Sequence, residues 1–172
     1  MARMAKPRIL DLGTGSGCVA ITLALELPSA EVTALDVSAA ALDVARDNAE
    51  RLGAQLRFMQ SDWFATIDAA ERFDLIVANP PYVAEGDPHL NEGDLRFEPA
   101  LALACGPDGL DAIRHIVAAA PTHLRAGGHL FFEHGYDQAE AVAALLRHAG
   151  FSAIDQHRDL ASIVRVSGGR IP

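Results

Sequence analysis

The sequence predicts an α/β fold, with a doubly wound and mostly parallel sheet of seven strands covered by helices. Two observations lead to this prediction. Short apolar segments alternate with segments of helical periodicity along almost the whole chain, as is typical of parallel sheets buried on both faces. The last two strand patterns are joined by a short link, which predicts an antiparallel pair. The chain has 172 residues, half of them hydrophobic, which fits one domain.

The first half of the chain contains four predicted strands and two helices. The strands are Arg8–Gly13, Glu31–Val37, Gln55–Gln60 and Phe73–Asn79, and the helices are Cys18–Leu27 and Ser38–Leu52. Ser38 is the expected N-cap of the second helix, and Gly53 is expected to end it. The apolar face predicted for that helix consists of Leu42, Ala45, Ala49 and Leu52.

The second half opens with an irregular segment, Tyr82–Pro107, whose length is more typical of a functional loop than of a connector. A helix is predicted over Asp108–Leu124, with an inward face of Leu110, Ile113, Val117 and Ala120. A strand over Gly128–Gly135 follows, and then a helix with a stripe of Ala139, Val142, Leu145, Leu146 and Ala149 that ends at Gly150. The predicted antiparallel pair is Ser152–His157 and Ser162–Ser167.

Composition argues against several classes of function. The net charge of −9 disfavours non-specific nucleic-acid binding, which depends on Lys and Arg. No apolar run approaches the ~18 residues of a membrane span. Cys18 and Cys105 form no CxxC pair and are interpreted as reduced thiols. The seven histidines are scattered, so no metal site is expected. We therefore expect a cytoplasmic protein with no membrane partner, and a monomer rather than an oligomer.

Two distinctive motifs follow strands that the fold makes neighbours. Asp-Leu-Gly-Thr-Gly-Ser-Gly, residues 11–17, ends the first strand, and Asn-Pro-Pro-Tyr, residues 79–82, follows the fourth. In a doubly wound sheet, ligands bind beyond the carboxyl ends of the strands at the switch point. The two motifs are therefore predicted to face each other across one binding site.

The glycine-rich motif predicts a nucleotide-like ligand. Its GxGxG spacing lacks the third glycine of dinucleotide loops, where Cys18 stands, and no GK[ST] follows as in a P-loop. NAD stays open on these residues, but S-adenosylmethionine fits better because it has no pyrophosphate to bind. Asp36 ends the second strand and is placed to accept from ribose hydroxyls. The cofactor-binding candidates are Asp11, Gly13, Thr14, Gly15, Ser16, Gly17, Asp36, Val37, Asp62, Trp63 and Asn79.

The Asn-Pro-Pro-Tyr motif offers hydrogen-bond acceptors on a stiff backbone. A residue before proline is held extended, and proline has a fixed φ and no N–H. The side-chain oxygen of Asn79 and the carbonyl of Pro80 are thus expected to accept both hydrogens of an NH2 group. Tyr82 would lie against the planar group that carries it. This arrangement predicts methylation of an amide or aromatic amine, with Asn79, Pro80 and Tyr82 as the catalytic candidates.

The combination resembles a known family. Residues 11–17 and 79–82 are similar to the amino-methylating S-adenosylmethionine-dependent methyltransferases, and Asn-Pro-Pro-Tyr is shared with enzymes acting on DNA adenine and ribosomal guanine. Residues 87–103, 106–116, 131–142 and 158–169 look like the PrmC/HemK family of protein-(glutamine-N5) methyltransferases. That resemblance implies a Rossmann-like class I methyltransferase fold. It also implies S-adenosylmethionine as cofactor, with S-adenosylhomocysteine as product.

The resemblance further implies a substrate, which is the glutamine of the Gly-Gly-Gln motif in peptide-chain release factors. The implied substrate-binding residues are Asn79, Pro80, Pro81, Tyr82, Glu98 and Pro99. Members of the family carry a helical N-terminal domain that recruits the substrate. By that resemblance, residues 1–172 are expected to be the catalytic domain alone, without the N-terminal domain of the family. Two alternatives stay open: a nucleic-acid amino methyltransferase that methylates adenine or guanine, and a module that binds S-adenosylmethionine but is inactive without the N-terminal domain.

Overall fold

The structure is a computed structural model, and it describes residues 6–84 and 105–172. Within these residues the strands are β1 Arg8–Leu12, β2 Glu31–Asp36, β3 Arg57–Gln60, β4 Phe73–Ala78, β5 Leu124–Glu133, β6 Ser152–Arg158 and β7 Val164–Arg170. The helices are α1 Cys18–Glu26, α2 Ala39–Leu52, α3 Asp111–Ala119 and α4 Ala139–His148, with a 3₁₀ turn at Ala120–Thr122.

All seven described strands form one sheet in the order β3-β2-β1-β4-β5-β7-β6. The pairs from β3 to β5 are parallel, whereas β7 runs antiparallel to both β5 and β6. The strand order reverses between β1 and β4, so the carboxyl ends of these two strands flank the switch point. The predicted fold class, a doubly wound and mostly parallel sheet with an antiparallel C-terminal strand, is confirmed.

Alternate residues of the central strands pack on opposite faces of the sheet. Ile9 and Val32 pack with Ala20 of α1 on one face. Leu10 and Leu12 belong to the larger core on the other face, together with Ile113 of α3 and Val142 of α4. Each face of β1 is therefore covered by a helix, which explains why the strand is apolar from Ile9 to Leu12 apart from Asp11.

Helix α2 begins and ends where the sequence predicted. The hydroxyl of Ser38 accepts a hydrogen bond from the amide of Ala41, and Gly53 ends the helix with φ of 73°. Leu42, Ala45 and Ala49 are buried, as expected. The prediction for Leu52 was wrong, because its side chain is 60% exposed. Periodicity indicates which face a side chain lies on, but burial also requires a packing partner, and the described residues leave Leu52 uncovered.

The helix predicted over Asp108–Leu124 is shorter than expected, although its inward face is buried. Gly109 has φ of 71°, which is not helical, so α3 begins at Asp111. Pro121 lacks an N–H and cannot continue an α-helix, and the chain tightens there into the 3₁₀ turn. Leu124 already belongs to β5, which starts four residues before the predicted strand. No helix in the described part of the chain is both long and apolar enough to span a membrane.

Candidate functional site

A pocket of about 620 Å³ opens at the carboxyl ends of β1, β2 and β4. It is lined by Asp11, Gly13, Thr14, Gly15, Ser16, Cys18, Val19, Leu35, Asp36, Val37, Ser61, Asp62, Trp63, Asn79 and Pro81. The structure thus brings together every predicted cofactor residue except Gly17. Of the lining residues that the sequence did not single out, Ser61 was detectable, because it follows a strand at this edge.

The backbone of the glycine loop faces the pocket. Gly13 and Gly15 have φ of 68° and 54°, values that residues with a Cβ rarely adopt. The amide of Thr14, between them, donates to the carbonyl of Leu35 at 2.8 Å, which ties the loop to β2. A Cβ on Gly15 would meet no atom within 4 Å. The loop therefore offers an open stretch of main chain that a ligand can approach closely.

Gly17 has a different environment from the other two glycines. It is buried, and a Cβ there would lie 2.8 Å from Cδ1 of Ile21 and 3.1 Å from Cβ of Ala45. The residue lets α1 and α2 approach each other at the base of the loop. Its contact with a cofactor stays a prediction, and the packing of the two helices is sufficient reason for a glycine here.

Asp11 is a buried carboxyl group at the floor of the pocket, with 2% of its surface exposed. Burial raises its pKa to about 6, and the nearby charge of Asp36 acts in the same direction. The hydrogen bond from the hydroxyl of Thr14, at 2.7 Å, partly offsets that rise. A carboxylate held in such a place is stabilised by a cationic ligand, which would return its pKa toward the ordinary value.

Asp36 is held in one orientation by two backbone amides. Its Oδ2 accepts from Gly15 at 2.8 Å, and its Oδ1 accepts from Ser38 at 2.8 Å. Each carboxylate oxygen can accept more than one hydrogen bond, so both oxygens keep acceptor capacity toward the pocket. Val37, next in the chain, is 66% exposed at the pocket rim.

A tight turn after β3 presents Asp62 and Trp63. The hydroxyl of Ser61 donates to the carbonyl of Trp63 at 2.8 Å and accepts from the amide of Thr66 at 3.1 Å. Trp63 has φ of 47°, which is unusual for a residue with a side chain. Its ring both packs on the core and lines the pocket, so the residue combines a structural role with a surface for a flat ligand.

Asn79 and Pro80 follow β4 on the opposite side of the pocket from the glycine loop. Asn79 is exposed and lines the pocket, whereas Pro80 is buried. Among residues 6–84 and 105–172, none donates a hydrogen bond to the carbonyl of Pro80 or pairs with the side chain of Asn79. The side chain of Asn79 is therefore available at the pocket, whereas access of the Pro80 carbonyl to it stays a prediction, because Pro80 is not among the lining residues. Pro81 lines it as well.

Tyr82 is partly buried, and contacts from the C-terminal half of the chain hold it. Its hydroxyl donates to Oε1 of Glu133 at 2.9 Å, and the guanidinium of Arg165 lies 5.7 Å from the centre of its ring. Its carbonyl accepts from the side chain of Gln138 at 2.9 Å. Glu133 and Gln138 belong to the segment 131–142, which the sequence analysis used only to recognise a family.

Glu98 and Pro99 lie outside the described residues, as does most of the segment Tyr82–Pro107, so their assignment to the substrate site stays a prediction. Among the residues that the structure does describe, no three His, Cys, Asp or Glu side chains are grouped so that they could hold a metal ion.

Comparison with known proteins assigns the family. Residues 1–96 match the model of the methyltransferase small domain, which covers more than half of the chain. The chain belongs to this family. The resemblance predicted from the two motifs together with residues 87–103, 106–116, 131–142 and 158–169 is confirmed by curated relatives that are named release factor glutamine methyltransferase. The one from Bordetella pertussis is 56% identical over 165 residues, and the one from Escherichia coli K12 is 43% identical over 164 residues.

These alignments cover 96% and 95% of this methyltransferase-family chain. They cover only 61% and 59% of the respective relatives, so the chain spans about three fifths of their length. Solved structures support the fold of this chain but not its function, because their sequences are only 22% identical to it. A ribosomal protein L11 methylase from Lactobacillus delbrueckii subsp. bulgaricus aligns over 99% of this chain and 73% of its own, with a TM-score of 0.70 and 22% identity.

A second solved structure is a 16S rRNA N2 G1207 methyltransferase from T. thermophilus in complex with AdoMet and guanosine. It aligns over 96% of this chain and 38% of its own, with a TM-score of 0.68 and 22% identity. Methyltransferases of quite different acceptors therefore share this sheet and its switch point. The acceptor has to be argued from the site itself.

Proposed function

We propose that this chain is the catalytic domain of a protein-(glutamine-N5) methyltransferase that uses S-adenosylmethionine. The acceptor would be the side-chain amide of the glutamine in the Gly-Gly-Gln motif of peptide-chain release factors. The observation that carries the proposal is the side chain of Asn79, which has no partner among the described residues and lines the same pocket as the glycine loop, with Pro80 next to it in the chain. The names of the curated relatives support the choice of substrate.

The residues of the pocket fit S-adenosylmethionine. The buried carboxyl group of Asp11 suits a cationic ligand, since burial alone disfavours its ionised form. The open main chain at Gly15 leaves room for a ligand to approach, and the fixed carboxylate of Asp36 has acceptor capacity for ribose hydroxyls. S-adenosylmethionine, when bound, supplies a methyl group on a positively charged sulfur.

The amide nitrogen of glutamine is a poor nucleophile because its lone pair is delocalised. Asn79 Oδ1 and the carbonyl of Pro80 would accept its two N–H groups and turn the lone pair toward the incoming methyl carbon. They also stabilise the positive charge that develops on nitrogen, which is electrostatic preorganisation combined with positioning. The nitrogen would take up the methyl group that the cofactor supplies, leaving S-adenosylhomocysteine, and would then lose one proton to solvent. No strong general base is required.

Methyl transfer to a release factor tests this proposal. The purified chain is incubated with labelled S-adenosylmethionine and either a release factor or its variant in which the Gly-Gly-Gln glutamine is alanine. A high concentration of release factor is used, so that recruitment does not limit the rate. Label on the first protein only is expected. Equal label on both proteins would exclude that glutamine as the acceptor.

Three further expectations from the sequence stay predictions. The first is that residues 1–172 act as one catalytic domain, and the second is that the chain is monomeric and cytoplasmic. The third is that nucleic acid is no direct partner. A titration with DNA or RNA at low salt checks the last one, and the net charge of −9 predicts no tight binding.

A further inference from the structure

Gln138 holds the segment that carries the two acceptors, although it does not line the pocket. It is the residue immediately before α4, and only 8% of its surface is exposed. Its Nε2 donates to the carbonyls of Tyr82 at 2.9 Å and Asp108 at 3.0 Å. Its Oε1 accepts from the amide of Gly135 at 2.7 Å. Both hydrogens and the oxygen of this side-chain amide are thus engaged with backbone groups.

The bonding pattern requires glutamine in particular. A side chain here must give two hydrogens to carbonyls and accept one from an amide, which only Asn and Gln can do. Asn is one methylene shorter. A glutamate has the same shape, but its ionised carboxylate only accepts, and it would leave both carbonyls without a donor. A substitution of Gln138 should therefore disturb these hydrogen bonds even when the new side chain has the same size.

Residues 79–81 are held between two anchors. On one side, Ala78 ends β4 in register with Leu12 of β1 and Phe132 of β5. On the other side, the carbonyl of Tyr82 is bonded to Gln138. Two of the three residues between these points are prolines with restricted φ, so the anchors largely determine where the Pro80 carbonyl points.

The second anchor is reinforced by residues 105–109. The amide of Cys105 donates to the carbonyl of Val83 at 2.9 Å, directly after the Tyr82 contact. Gly109 packs against the same place, because a Cβ there would lie 2.3 Å from the carbonyl oxygen of Tyr82 and 2.9 Å from Nε2 of Gln138. Any side chain at residue 109 would therefore displace the carbonyl of Tyr82 or the side chain of Gln138 and disturb the hydrogen bond between them.

We infer that Gln138 is a positioning residue, which acts through Tyr82 to aim the acceptors of Asn79 and Pro80 at the NH2 group of the substrate. This role rests on the proposed function for its substrate, but the anchoring itself does not. Because a misplacement of about 1 Å can lower a rate on the order of 10²-fold, loss of the anchor should affect methyl transfer much more than cofactor binding.

Gln138→Glu and Gln138→Met test the inference together. Glutamate keeps the shape and reverses the hydrogen bonding, whereas methionine removes the hydrogen bonds without burying a charge. For folded variants, we expect kcat for methyl transfer to fall roughly 10²-fold, with the Kd for S-adenosylmethionine by calorimetry unchanged. A purely structural role would lower the melting temperature and the amount of folded protein but leave kcat per folded molecule intact.

Two glycine variants provide a matched comparison. Gly109→Ala and Gly53→Ala introduce a side chain at nearly equal φ, 71° and 73°, but a Cβ at Gly53 meets nothing within 4 Å. Both variants should lose stability from backbone strain. Only Gly109→Ala should also lose kcat, because only it displaces the Tyr82 carbonyl. Equal kcat in the two variants would overturn the inference.

A crystal structure of Gln138→Met separates this inference from the proposed function. Displacement of the backbone at residues 79–82 relative to the unsubstituted chain supports the anchor, whichever NH2 group the protein methylates. An unchanged backbone, or an unchanged kcat in folded Gln138→Met, overturns it. Failure of the unsubstituted chain to methylate glutamine would instead refute the proposed function, and the crystal structure would still decide on the anchor.

Discussion

The two sides of the pocket are built in different ways. On the cofactor side, Thr14 bonds to Asp11 three residues away, and Gly15 bonds to Asp36 twenty-one residues away. On the acceptor side, Tyr82 is held by Glu133 and Gln138, which are fifty-one and fifty-six residues away in the chain. The hydrogen bonds of the glycine loop are therefore made within a single strand–helix–strand unit, whereas the support of Tyr82 depends on the C-terminal half of the chain.

The two sides also differ in which groups they leave available. Asp11 and Asp36 already accept hydrogen bonds from neighbouring groups of the protein, which fix the orientation of both carboxyl groups toward the pocket. The acceptors of Asn79 and Pro80 have no partner among the described residues. The segment that carries them is anchored by the hydrogen bond between Gln138 and the carbonyl of Tyr82. We propose that the first side supplies affinity and the second side supplies rate, and substitutions on each side should separate these quantities.

The largest effect is expected at Asn79. Asn79→Ala removes one preorganised acceptor and should lower the rate of methyl transfer at saturating S-adenosylmethionine on the order of 10²–10³-fold. Affinity for the cofactor, measured by calorimetry, should change little. Asn48→Ala is the matched control, since Asn48 donates to the carbonyl of Ser16 on the cofactor side at 3.0 Å. A large loss of affinity in Asn79→Ala with normal turnover would reverse the assignment of the two sides.

Asp36→Ala should show the opposite pattern. Hydrogen bonds to a charged group contribute about 1.5–3 kcal/mol, so the Kd for S-adenosylmethionine should rise roughly ten- to hundredfold. The rate at saturating cofactor should stay close to that of the unsubstituted chain. Asp43→Ala, which removes an exposed carboxylate paired with Arg46, should leave both quantities unchanged. A normal Kd in Asp36→Ala would argue against its role in binding.

Asp11 predicts a smaller, pH-dependent effect on the cofactor side. Its pKa is about 6, raised by burial from 3.8, and a cationic ligand favours its ionised form. Affinity for S-adenosylmethionine should therefore weaken below pH 6, by at most about tenfold per pH unit. Asp11→Asn should abolish this dependence. Identical pH profiles by calorimetry for the two proteins would exclude Asp11 as the titrating group.

The same shift makes a prediction about stability without ligand. The folded chain holds the Asp11 proton more tightly than the unfolded chain, so the stabilisation from protonated Asp11 is complete below about pH 4 and is lost as pH rises to about 6. The difference in free energy of unfolding between the unsubstituted chain and Asp11→Asn should follow that trend in urea titrations. A difference that grows in favour of the unsubstituted chain over this range would contradict the sign.

The smallest effect is expected at Ser38, next to the pocket but outside its chemistry. Ser38→Ala removes the hydrogen bond to the amide of Ala41, at 3.2 Å, and should cost about 1 kcal/mol of stability. The amide of Ser38 still donates to Asp36, so the Kd for S-adenosylmethionine should not change. Thermal unfolding and calorimetry on the same sample measure both quantities, and a clear rise in Kd would show that the cap also sets the orientation of Asp36.

The same contrast explains how much the sequence alone could predict. The sheet, the glycine loop and Asp36 depend on local patterns, and the structure brings these residues into one pocket. The support of Tyr82 by Glu133 and Gln138 was not predicted, because a polar residue beside a helix gives no sign of a partner more than fifty residues away. Leu52 and the ends of α3 were misjudged, since periodicity indicates neither a packing partner nor the effect of Gly109 and Pro121.

The most direct test of the account locates the methyl group. A release factor and an adenine-containing DNA are offered to the chain together with S-adenosylmethionine, and the products are mapped by tandem mass spectrometry. We expect one methyl group on the side-chain nitrogen of the Gly-Gly-Gln glutamine, formed on the order of 10²–10³-fold more slowly in the same reaction with Asn79→Ala. A methyl group on another residue of the release factor or on the DNA would contradict it.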